Sequence, residues 1–367
     1  LHLKIIAALI KTDMFEIMKN QILLYGATGY TGKLIIEVLL SKGIKPLIAG
    51  RNANALKELA DKFNLSFEAF ELSNTKKLEE ALAQCKVVIH AAGPFIHTYQ
   101  KMLDACIKTK THYLDITGEY QVFEGCAAKD AEAKAAGIMV TPGVGFDVVP
   151  SDCLANYLKA KLPDATSLQL AFAGLKSGFS RGTAKTMIEG LDEGGKIRKD
   201  GKLTEVPAAY KVLEINFGAF KTVAATIPWG DISTAYRSTG IPNIEVFMGV
   251  TPALVANMKR SNYLRWFFKF SFVKSFLKSQ VDKRKPGPSE KQREEGKSFF
   301  WGRVENAAGK SVEARLQTHE GYKLTALTSA LIAEKVLNDN FKTGYQSPAM
   351  AYGKDLILEV EGCRFSD

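Results

Sequence analysis

The sequence predicts an α/β protein, a doubly wound parallel sheet with an inserted α+β domain. Three observations carry that prediction. Short apolar runs alternate with helical segments six times between Gln21 and Gly143, a rhythm that calls for a parallel sheet with helices on both faces. A glycine-rich turn joins the first run to the first helix. After Pro150 the strand patterns follow one another with few helices between them, as in a mixed or antiparallel sheet.

QILLYG (21–26) is a short apolar run ending in glycine, and TGKLIIEVLLSKG (31–43) follows with Leu34, Ile35, Val38 and Leu39 at helical spacing. KPLIAG, LSFEAFEL, KVVIHAAG, THYLDIT and IMVTPG supply the next five strands. Between them NANALKELADKFN, TKKLEEALAQC, YQKMLDACIKTK and CAAKDAEAKAAG read as helices. Beyond Pro150, SDCLANYLKAKL is helical, and SLQLAFAG, KVLEINFGAFKTVAATIP and IEVFMGV are strands. KRKPGPSEKQREEG (283–296) has the composition of an exposed loop; TALTSALIAEKVL and SPAMAYGKDLILEVE then read as helices. The expected domains are an extension at 1–20, a nucleotide-binding unit at 21–150, a substrate and dimerisation unit at 151–320, and C-terminal helices at 321–367 that pack back on the first unit. In the extension, the apolar stretch Ile5–Ile10 is too short for an anchor and no small-residue cleavage site follows it.

The 367 residues are 46% hydrophobic and 24% charged, values that exclude a disordered or fibrous chain. No apolar run reaches the ~18 residues of a membrane span. Cys85, Cys106, Cys126, Cys153 and Cys363 stand singly and odd in number. That argues against a disulfide framework or structural zinc and for a reducing, cytoplasmic setting. The net charge of +10 favours anionic partners.

Gly26-Ala27-Thr28-Gly29-Tyr30-Thr31-Gly32 lies between the first strand and the first helix. Glycines there let backbone N–H groups approach a pyrophosphate at a helix N-terminus, the arrangement of a Rossmann domain. The position after the second strand, where NAD-binding folds place an acid for the ribose hydroxyls, holds Arg51, and no acid lies between Gly43 and Lys57. A guanidinium binds a 2′-phosphate that a carboxylate repels, so the expected cofactor is NADP(H). Three loops at the carboxyl ends of strands four to six should surround the nicotinamide. The first, Ala92-Gly93-Pro94-Phe95, gives close backbone approach and a rigid bend. In the second, Tyr113 and Asp115 share a face and read as a hydrogen-bonded pair holding the loop. In the third, Asp147 sits in an apolar stretch where a charge needs partners or a shifted pKa. His90, within an apolar strand, reads as a core histidine. Tyr99, on the first turn after Pro94, is the candidate catalytic proton donor. Tyr157 and Lys161 match a Y-x-x-x-K pair, but they follow the sixth strand, which makes the match a coincidence.

GATGYTG, AGR, AAGPF, ACIKTKTHYLDITGEY and GVGFDVVPSD occur in that order, followed by SRGTAKTMIE, PGPSEKQR, EGYKLTALTSA and SPAMAYG. From about Gln21 onward the chain thereby resembles the saccharopine dehydrogenase-like NADP-binding oxidoreductases, the branch that includes trans-acting enoyl reductases. The resemblance implies a Rossmann domain, an inserted substrate domain, and hydride transfer to a small or acyl-chain substrate by C=C or C=O reduction. Tyr99 departs from the glycine usual at that place in the group. The alternative is a non-catalytic NADPH sensor or membrane-associated scaffold. Expected partners are the substrate and a second copy of the chain, with no nucleic acid and no metal.

Residues 262–285 carry seven basic side chains against one acid, Asp282. Tyr263, Trp266, Phe270, Val273 and Leu277 recur at spacings that make one apolar helical stripe, with further phenylalanines off it. A helix lining an acyl pocket or subunit interface is the favoured reading; peripheral membrane contact through 262–280 is the other.

Overall fold

The computed structural model describes residues 19–175 and 178–366, so residues 1–18 of the expected extension lie outside the described residues. Lys19 is already part of the fold, its ammonium donating to the Thr109 carbonyl oxygen at 2.6 Å.

The six expected strands form: β1 (Ile22–Tyr25), β2 (Leu47–Gly50), β3 (Phe67–Ala69), β4 (Val87–His90), β5 (His112–Asp115) and β6 (Met139–Thr141). They pair in parallel in the order β6-β5-β4-β1-β2-β3. Every residue of β1, β2, β4, β5 and β6 is buried, which is why these runs are continuously apolar rather than alternating. The order reverses at β1/β4, so a crevice opens above those strand ends, beside the glycine turn.

The second sheet is built from β7 (Ala165–Leu175), β8 (Gly195–Lys199), β9 (Lys202–Val206), β10 (Val212–Asn216), β11 (Lys221–Thr226), β12 (Asn243–Gly249), β13 (Lys297–Asn306) and β14 (Ser311–His319). Its central order is β10-β11-β12-β7-β13-β14, with β8 and β9 paired off β12. All these pairings are antiparallel except β12 with β7. Helix Val149–Lys161 packs on this sheet, and Gly302 is what lets it approach: a Cβ there would sit 2.6 Å from Leu158.

The C-terminal segment serves both sheets. Helix Gly321–Leu337 returns to the first domain and packs on helix Tyr30–Ser41. β15 (Gly344–Tyr345) then adds a seventh parallel strand beside β6, while β16 (Arg364–Ser366) pairs with β14. The segment 347–361 is therefore not one helix. Helix Pro348–Tyr352 stops at Gly353, which has φ +86°, and a short 3₁₀ turn follows at Leu356–Glu359.

Candidate functional site

The glycine turn shows why each glycine is there. Gly26 has φ +91°, and a Cβ on it would press to 2.8 Å from the Ala91 carbonyl; one on Gly32 would sit 2.5 Å from the Gly26 oxygen. Both are demanded by packing. Gly29 differs: it is exposed, and its Cβ would meet only the Gly26 oxygen, at 3.1 Å. It is also the N-cap of helix Tyr30–Ser41, and no side chain caps that helix. The helices starting at Ala53 and Thr75 are capped by Asn52 and Asn74. The first helix thus keeps its orphan N–H groups, and it has no acid in its first turn. That donor set fits a pyrophosphate.

Thr28 and Thr31 are half-buried beside the turn. Tyr30 takes another role than the one its motif suggested. Its hydroxyl donates to the Pro288 carbonyl oxygen at 2.6 Å and accepts from Arg293 at 3.0 Å, so its side chain clasps the second domain, leaving its backbone N–H for a ligand. This explains the PGPSEKQR segment as a docking loop. Arg51, at the end of β2, is exposed and forms no ion pair among the described residues.

On the far side of the crevice, Glu119 accepts from the backbone N–H groups of Phe95 and Ile96, both at 2.8 Å, and so fixes the loop Ala92-Gly93-Pro94-Phe95. Thr98 donates to the Ala92 oxygen at 2.9 Å, so its hydroxyl accepts from His90 Nε2, also at 2.9 Å. Burial holds the His90 imidazole down to about 3; it is a neutral core donor. Asp115 accepts from Tyr113 at 2.6 Å and from the N–H groups of Gly143 and Thr117. Burial nevertheless raises its carboxyl to about 6.

Asp147 lies at the centre. Its Oδ1 is buried with no hydrogen-bond partner among the described residues, and its Oδ2 abuts Gly118, where a Cβ would approach to 2.8 Å. Burial, then the nearby Asp231 carboxylate, push its pKa well above the carboxylate range. The loops after β5 and β6 therefore meet over an acid whose pKa burial drives upward. Around it stand Tyr322, whose ring meets Tyr30 edge-on at 5.1 Å, and an aromatic wall in which Phe146 contacts Phe172 (5.4 Å) and Phe300 (5.2 Å), and Phe172 contacts Trp229 (5.1 Å). Helix Arg181–Glu189 flanks the crevice, with Thr186 reaching Glu119 at 3.4 Å.

Tyr99 is not in this group. Its ring packs against helix Tyr120–Ala128, where a Cβ on Gly125 would fall 2.3 Å from its hydroxyl, and it joins the cluster on the sheet's other face. Tyr99, the candidate proton donor, thus has its ring against a helix, whereas Asp147 lies between the loops after β5 and β6. Tyr157 stacks on Phe365 at 4.4 Å with Lys161 over its ring, far from the turn in role. Tyr322 and Asp231 were not legible as site residues, although Tyr322 sits within EGYKLTALTSA.

Residues 22–141 match the model of the saccharopine dehydrogenase NADP binding domain. Over these residues the chain is similar to that domain. A Caenorhabditis elegans protein named lipid droplet localized protein is 25% identical over 77% of this chain and 78% of its own length. A mouse saccharopine dehydrogenase-like oxidoreductase is 27% identical over 48% of this chain and 47% of its own. A putative trans-acting enoyl reductase of Mycobacterium tuberculosis is 30% identical over 46% and 44%. The chain thus spans under half the length of the last two. The solved apo saccharopine dehydrogenase (L-Glu forming) of Saccharomyces cerevisiae shares the fold of this chain, with TM-score 0.64 at 14% identity over 95% of this chain and all of that one. Among the described residues no helix is long and apolar enough to cross a membrane.

Asp231, beginning helix Asp231–Thr239, is fully buried, and neither carboxyl oxygen has a hydrogen-bond partner among the described residues. Burial raises it from 3.8 to about 7. The folded chain then holds a proton that the unfolded chain releases above pH ~4, so stability falls as pH rises toward 7 and stays reduced above. Asp231→Asn removes this penalty. Thermal unfolding should show a gain on the order of 4 kcal/mol at pH 8, shrinking toward zero near pH 4. A gain independent of pH would refute the buried, ionising carboxyl.

Proposed function

We propose that the protein is an NADP(H)-dependent oxidoreductase reducing a C=C or C=O bond of an apolar, acyl-type substrate. The observation that carries this reading is the open, uncapped helix start at Gly29, with the unpartnered buried oxygen of Asp147, an acid with a raised pKa, across the same crevice. Bound there, the nicotinamide supplies hydride. The chain supplies the rest: N–H groups of the first helical turn hold the pyrophosphate, Glu119 fixes the loop after β4, and Asp147 keeps a proton on its carboxyl for the acceptor. The wall of Phe146, Phe172, Trp229 and Phe300 excludes water and favours an apolar acceptor. The enoyl reductase and the lipid droplet protein among the relatives are in keeping with such a substrate.

NADP(H) preference rests on Arg51, exposed at the end of β2. Arg51→Asp should weaken NADPH by ~1.5–3 kcal/mol, about 10- to 150-fold, and leave NADH nearly unchanged. Calorimetric titration with both cofactors checks it; equal affinity of the native protein for the two would overturn the assignment. Turnover itself is tested by NADPH oxidation with a panel of enoyl and keto acyl substrates. Tight NADPH binding without turnover on any of them would leave a sensor, not an enzyme.

A further inference from the structure

The aromatic segment does not form the single inward stripe that its spacing suggests. The helix breaks at Lys269-Phe270, between Arg265–Phe268 and Ser271–Asp282. Val273 is buried and Leu277 half-buried after the break. The other aromatics turn outward: Tyr263 is 83% exposed, Trp266 64%, Phe272 66% and Phe276 62%. Trp266, Phe267, Phe270 and Phe272 form a contiguous patch, in which Phe270 lies 6.3 Å from Trp266 and 5.7 Å from Phe272. So many exposed rings together mark a binding surface rather than scattered surface residues.

The charges sort by face. Lys274 pairs with Asp192 at 2.7 Å, Lys278 pairs with Glu189, and Arg265 donates to the Glu193 carbonyl oxygen at 2.8 Å. These inner cations hold the segment against helix Arg181–Glu189 and the turn after it. Lys259, Arg260 and Lys269 are exposed and form no ion pair among the described residues, and Lys283-Arg284-Lys285 extend the same sign beyond the patch. A second copy docking through this face would bring those cations against their own kind. An anionic surface meets them with complementary charge, while tryptophan, tyrosine and phenylalanine rings suit the boundary between headgroups and acyl chains.

We propose that the patch Tyr263–Phe276, with its rim of unpaired cations, docks the protein on an anionic phospholipid surface. Docking needs no hydride transfer, so it is tested apart from the oxidoreductase reading. The full chain is floated with vesicles of phosphatidylcholine alone and of phosphatidylcholine with about one-fifth phosphatidylserine, at about 0.1 M and about 0.5 M salt. The native protein should float with the anionic vesicles, less at the higher salt, and stay behind with the neutral ones. Trp266→Ser with Phe270→Ser and Phe272→Ser should cut the floated fraction about tenfold. Lys259→Glu with Arg260→Glu and Lys269→Glu should lower it to the neutral-vesicle level. Unchanged thermal unfolding and NADPH binding show that both variants are folded. Native protein that stays behind, floats equally on neutral vesicles, or floats undiminished as the triple serine variant overturns the proposal. So does a native dimer, seen by sedimentation, that the triple serine variant converts to monomer without any flotation of either protein.

Discussion

Asp147→Asn should lower the turnover number by about 10²–10⁴-fold while NADPH affinity changes less than about threefold. The reasoning runs from burial to proton inventory. A carboxyl with an unpartnered buried oxygen and a second acid nearby is pushed toward its protonated form. Asparagine keeps the shape and a hydrogen-bond donor, and loses only the transferable proton. Binding should survive because the residues proposed to hold the pyrophosphate and 2′-phosphate, the glycine turn and Arg51, lie on other loops. Stopped-flow NADPH oxidation, compared with equilibrium titration, separates the two effects. Equal losses in turnover and affinity would make Asp147 a wall residue. Tyr99→Phe provides the contrast: because its ring lies against Gly125, turnover should stay within about threefold of native.

The first sheet was legible because its strands are buried on both faces and its helices amphipathic, so the two periodicities hardly overlap. β15 left no trace: two residues, Gly344 and Tyr345, carry no periodicity, and only pairing with β6 defines them. The hairpins β8–β9 and β13–β14 were missed in another way. Asp200-Gly201 and Ala308-Gly309 mark their turns, a signal for hairpins, but GKIRK and KLTEV carry too many charges for a clear alternation, and residues 297–319 were assigned no element. The aromatic segment misled for the opposite reason. Its spacing fits one helix, yet the chain breaks at Phe270, whose backbone is extended, and the stripe divides between core and surface.

The site was legible where backbone needs dictate residue type. Gly26 and Gly32 announce a turn since nothing larger fits, and Asp147 stood out as a charge among apolar neighbours. Tyr30 and Tyr322 were opaque in their roles because their partners, Pro288 and Arg293 for the one, Ser180 and Thr183 for the other, lie more than 130 residues away in sequence. Tyr99 shows what chain position leaves out. Chain position put it near the crevice, but a side chain on a helix's first turn points where its packing allows, here toward the neighbouring helix.

Gly29→Val should abolish NADPH binding, by at least about 100-fold, with only a small loss of stability. The three glycines of the turn make this a discriminating experiment. At Gly32 a Cβ would overlap backbone atoms at 2.5 Å and 2.8 Å, so a side chain there damages the fold and says nothing about a ligand. At Gly26 the positive φ adds strain to a similar clash. Gly29 has φ −69° and ψ 166°, extended backbone that valine adopts readily, and its one close neighbour, the Gly26 oxygen at 3.1 Å, needs to give by only a few tenths of an ångström. The fold therefore does not require glycine at this position. A phosphate seated on the N–H groups of the first turn does, because the branched side chain occupies the space where its oxygens must come. Calorimetry with NADPH and thermal unfolding of the same variant read the two consequences separately. Native-like affinity in a folded Gly29→Val protein would mean that no dinucleotide rests on this turn.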